Sequence, residues 1–106
     1  MAGEIFISRE ALAKLGIDPA QDTVTLTALS TEYTFTVPTG TKRIIFGMRS
    51  GSYSFQYGWA TGELRFTVPA GVFRDISDVY LVGETLYFQT TDSGAAGSII
   101  EIEYWQ

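Results

Sequence analysis

Thr34-Phe35-Thr36-Val37-Pro38-Thr39-Gly40 returns 31 residues later as Arg65-Phe66-Thr67-Val68-Pro69-Ala70-Gly71. Each copy alternates, with Phe and Val on one side and Thr or Arg on the other, as a half-buried strand does. Each copy then ends in Pro-x-Gly. Proline cannot donate to a strand ladder and glycine accepts positive φ, so the phrase predicts a strand followed by a sharp corner. A looser echo follows, Tyr53-Ser54-Phe55-Gln56 answered by Leu86-Tyr87-Phe88-Gln89. The chain therefore predicts a pseudo-repeated, all-β domain.

Composition agrees with that class. The chain has 106 residues, the size of one domain with its own core, and 45% of them are hydrophobic. Six Tyr and seven Phe favour pleated, half-buried surfaces. Cysteine and histidine are both absent, which removes thiol chemistry, disulfides, the usual proton shuttle near neutral pH and the commonest metal ligand. No cofactor and no metal are expected. The net charge of −5, with its seven basic residues scattered, disfavours nucleic acid as a partner. No apolar run is long enough to span a bilayer, and the N-terminus lacks the pattern of a signal peptide. A product made in the cytoplasm, without a membrane partner, is the expectation.

Outward from the repeat, the pattern predicts eight or nine strands in one antiparallel β-sandwich of jelly-roll type. Residues 1–22 form a separate N-terminal segment and 23–106 the β domain. In the segment, Glu4 to Ile7 reads as a short strand. Ser8 reads as the N-cap of a short helix, which Gly16 and Pro19 end. Thr23 to Leu29 alternates as a strand. Lys42 to Met48 is more continuously apolar, as for a strand covered on both faces, and Gly47 within it suggests a bulge or a close backbone approach. Ser52 to Trp59 and Glu63 to Val68 read as strands and Val72 to Ser77 as a loop. Asp78 to Val82 and Thr85 to Thr90 read as a hairpin turning at Gly83-Glu84. The last strand, Ser98 to Trp105, places Ile100, Ile102 and Tyr104 inward.

Catalytic constellations are not found. Glu101 and Glu103 share a strand face, but outward charge on an edge strand explains them without chemistry. Asp75 and Asp78 lack the loop of a calcium site and suit turns. No serine has a histidine base or a nucleophile elbow. Binding candidates are better represented. Arg49, Tyr53, Tyr57, Trp59 and Trp105 suit a protein interface or a platform for sugar rings, and the same aromatics could equally fill a sheet face. In the N-terminal segment Ile5, Phe6, Leu12 and Leu15 either cap the domain or dock on a neighbouring subunit.

The phrase Phe-Thr-Val-Pro-x-Gly, then Lys42-Arg43-Ile44-Ile45-Phe46-Gly47-Met48-Arg49-Ser50-Gly51-Ser52-Tyr53, Leu86-Tyr87-Phe88-Gln89 and the closing Ile100-Glu101-Ile102-Glu103-Tyr104-Trp105, resembles small virion proteins of tailed bacteriophages, most of all head decoration or cement proteins. The resemblance implies a structural protein, not an enzyme, made in the host bacterial cytoplasm and placed on the virion as a dimer or trimer. Its partner would be the major capsid protein or another virion protein. A carbohydrate-binding module of a phage tail or fibre, using Arg49 to Gly62, is the alternative.

Overall fold

The computed structural model describes residues 19–63 and 66–106. Eight strands occur among them: β1 (Ala20–Leu26), β2 (Tyr33–Thr36), β3 (Thr41–Met48), β4 (Phe55–Gly58), β5 (Phe66–Val68), β6 (Phe73–Leu81), β7 (Thr85–Gln89) and β8 (Ser98–Trp105). No helix is present among the described residues. The helix expected after Ser8 and the strand expected at Glu4 to Ile7 lie outside them. The strands form two antiparallel sheets packed together, a first in the order β1-β8-β3-β6 and a second in the order β2-β7-β4-β5.

The repeated phrase performs the same task twice. β2 and β5 are the two edges of the second sheet, and β3 and β6 are neighbours in the first. Each Pro-x-Gly corner therefore carries the chain from the second sheet to the first. The same backbone bond closes both corners, Thr41 N–H to Pro38 O at 3.2 Å and Val72 N–H to Pro69 O at 3.1 Å. Gly40 and Gly71 take φ of +91° and +78°, where a Cβ meets the neighbouring carbonyl. Alanine at either glycine is expected to cost about 1–2 kcal/mol, by similar amounts at the two corners, measured by urea denaturation. The surroundings differ. The first corner is sealed by the buried Thr41, whose hydroxyl donates to Pro38 O at 2.7 Å, whereas Val72 in the second stands 47% exposed.

Three sequence expectations are corrected. Phe73 to Leu81 is one strand, not a loop followed by a strand, because β3 gives Phe73 to Ser77, and again Leu81, ladder partners. Thr41 pairs with Leu81 and Arg43 with Ser77, so β6 carries extra residues opposite Lys42. That irregularity restores the inward phase of Leu81 after Ile76. Second, β6 and β7 form no hairpin. They belong to different sheets, and the turn at Val82-Gly83-Glu84 is another crossing, tied to the first corner by Val37 N–H to Glu84 O and Gly40 N–H to Leu81 O, both at 2.8 Å. Third, β8 is not an edge strand, since it lies between β1 and β3. Protection of an edge therefore does not explain Glu101 and Glu103.

The core lies between the sheets. Phe46 of β3 meets Phe55 and Tyr57 of β4 and Phe88 of β7 across the interface, with ring centroids 5.0–6.3 Å apart. The tilted and edge-on geometries suit the quadrupoles of the rings. Ile44, Ile100, Ile102, Leu26, Val37 and Leu86 close around them. The looser echo is real in space as well. β4 and β7 are neighbours, Gln56 pairs with Gln89, and Phe55 and Phe88 are both buried at the centre.

Candidate functional site

The fold disperses the residues that the sequence groups as interface candidates. Tyr57 is 3% exposed, inside the core, and its hydroxyl accepts a hydrogen bond from Arg74 Nε at 2.8 Å. It has no free face for a partner. Tyr53 is half-buried, packing against the core and against Gly94. Trp59 is exposed on the turn between β4 and β5, which Glu32 anchors by accepting from Thr61 Oγ1 at 2.8 Å and from Gly62 N–H at 2.7 Å. Arg49 and Trp105 lie on the outer face of the first sheet. Ile5, Phe6, Leu12 and Leu15 are outside the described residues.

A different set of apolar side chains is left in solvent. Of the seven large hydrophobic residues exposed among the described ones, Leu29 follows β1 and Phe73 lies over Gly47 on the outer face of the first sheet, while the other five, Trp59, Phe66, Val72, Tyr80 and Val82, belong to β5, β6 or the turns that border them. β5 ends the second sheet and β6 ends the first. The Pro69-Ala70-Gly71 corner joins them, so these five residues line one side of the domain. Phe66 shows why alternation alone does not find this side. It repeats Phe35, which is 9% exposed, yet Phe66 is 57% exposed, stacked on Tyr57 at 5.5 Å. The inward phase is the same, but Phe35 meets Tyr104 of β8 in the other sheet, with ring centres 5.8 Å apart, whereas the ring contact of Phe66 is within its own sheet.

The outer face of the first sheet is polar and ordered by charge. Arg43 donates to Asp75 through Nε at 3.2 Å and Nη2 at 2.8 Å, and its guanidinium lies 5.1 Å from the ring centre of Trp105. The hydrogen-bonded Arg43 holds the Asp75 carboxyl below its ordinary pKa, and the same bond raises that of Arg43. Asp75 is thus a strand residue with a cation partner, not a turn aspartate. Arg49 Nε donates to Glu101 Oε2 at 2.8 Å, and Gln21 Nε2 donates to Glu103 Oε2 at 3.1 Å. Between these groups lies an open basin of about 660 Å³ with Ile45 and Phe73 among its lining.

Phe73 explains Gly47. A Cβ on Gly47 would stand 2.4–2.6 Å from Cγ, Cδ1 and Cδ2 of Phe73. Those near-equal distances mean that the face of the ring covers the glycine. No register shift accompanies it, since Gly47 pairs squarely with Phe73 and Glu101. The close approach predicted for Gly47 is therefore that of an aromatic ring, not of another backbone.

Among the described residues, no group of three or more His, Cys, Asp or Glu is placed to hold a metal ion, and no helix is long and apolar enough to cross a membrane. No family model, no characterised protein and no solved structure matches the chain. The functional reading therefore stands on an all-β, two-sheet domain with one apolar side and one polar, concave outer face.

Proposed function

We propose that this chain is a structural subunit that works through protein–protein contact, in the manner of a capsid decoration protein of a tailed phage, and is not an enzyme. The observation that carries the proposal is the apolar side along β5 and β6, which holds five of the seven large hydrophobic side chains exposed among the described residues. Scattered exposed apolar residues need no explanation, but a row of them beside two free sheet edges suits a surface that is covered in use. The strand orders β1-β8-β3-β6 and β2-β7-β4-β5 support a jelly-roll arrangement, a frequent architecture among viral coat domains. Assembly as a dimer or trimer on the virion, after synthesis in a bacterial cytoplasm, follows from the same proposal.

Sedimentation of the purified chain alone and with emptied phage heads tests it. A discrete oligomer that pellets with heads, and a variant carrying Phe66→Asp and Val82→Asp that does neither, is the expected result. Both positions are exposed, so the variant should remain folded. A native chain that stays monomeric at high concentration and never pellets with heads would overturn the proposal.

A further inference from the structure

The basin on the first sheet has a chemistry of its own. Its floor includes Phe73, whose ring lies flat on Gly47 and whose other side is open, the residue being 49% exposed. A ring held in this way is a rigid platform, because Gly47 leaves room for it to lie parallel to the sheet. Around it stand hydrogen-bonding groups fixed by one another: Glu101 held by Arg49, and Glu103 held by Gln21. Thr23 pairs with Glu101 across β1 and β8 and also lines the basin. Glu101 and Glu103 are two residues apart on one strand, so their side chains leave the same face about 7 Å apart. That spacing is comparable to the width of a pyranose ring with its hydroxyl groups.

We propose that this basin binds an uncharged oligosaccharide, with a sugar ring stacked on Phe73 and its hydroxyl groups bonded to Glu101, Glu103 and Arg49. An apolar ligand would strand the carboxylates without partners. An anionic sugar would meet Asp22, Glu101 and Glu103, while the nearby cations Arg49 and Arg43 are already paired with Glu101 and Asp75. A neutral sugar satisfies both requirements, since its hydroxyl groups donate to carboxylates while its C–H face packs on the ring. This site is distinct from the Trp59 turn and does not depend on the assembly role.

Titration of the ¹⁵N-labelled full chain with cellohexaose, maltohexaose and hexa-N-acetylchitohexaose tests the proposal. One of the three is expected to shift amides of β1, β3 and β8. Phe73→Ala and Glu101→Gln should each weaken that binding by about tenfold or more, while Phe73→Tyr and Trp59→Ala retain it. Retention by Phe73→Tyr separates loss of stacking from loss of fold. Silence from all three sugars at millimolar concentration overturns the proposal, as does binding that survives Phe73→Ala or that Trp59→Ala abolishes. A change of oligomeric state in Phe73→Ala, with no sugar bound by the parent chain, would assign the basin to a second copy instead and overturn it equally.

Discussion

Phe46→Ala is expected to remove about 3–5 kcal/mol of stability, read as a lower urea midpoint at unchanged slope. Phe46 is fully buried and is the one ring that touches Phe55, Tyr57 and Phe88 together. It projects from β3 in the first sheet, while the three partners belong to β4 and β7 in the second. Truncation would open a cavity in the middle of the inter-sheet layer. The rigid ladders on both sides limit how far it could collapse. For a domain of this size the total is about 5–15 kcal/mol, so the variant should be close to unfolding at 37 °C. Phe66→Ala, in the repeated phrase but 57% exposed, should cost far less. A cost at Phe46 no greater than that at Phe66 would mean that the sheets do not pack through these rings.

Gly47→Ala has the second largest expected effect, about 1–3 kcal/mol, the usual range for overpacking. The new methyl group would stand inside contact distance of the near end of the Phe73 ring, so the whole ring must swing off its glycine. The backbone φ of Gly47 is not in the left-handed region, so the cost comes from the ring and not from strain in the chain. That distinction can be measured. In a double-mutant cycle, Phe73→Ala should remove most of the penalty of Gly47→Ala. Additive effects would show that the ring does not cover the glycine.

Much of the fold is legible in the sequence because its signals are local. Alternation in Phe35-Thr36-Val37 and Ile100-Glu101-Ile102 marks strands, and Pro-x-Gly marks corners. What is not local is lost. Gly83-Glu84 has the composition of a hairpin turn, and only the pairing of β6 with β3 and of β7 with β2 and β4 shows that the chain changes sheets there. Asp75 and Ser77 look like loop residues until Ile45 and Arg43 are seen opposite them. The candidate surfaces were less legible still. Trp59 and Arg49 stand out by residue type, but the exposure of Phe66, against the burial of its repeat partner Phe35, depends on what the other sheet sets opposite each ring, which no local pattern records. The basin joins Gln21 with Glu103 and Gly47 with Phe73, pairs far apart in the chain that only the register brings together.

Hydroxyl-radical footprinting of the full chain, compared between dilute and assembled samples, tests most directly whether the side along β5 and β6 is the surface that other molecules cover. Protection on assembly is expected at Trp59, Phe66, Tyr80 and Val82, with Leu29, on the loop between β1 and β2, unchanged. Protection at Leu29 and β1, with those four as reactive as in the dilute chain, would contradict it.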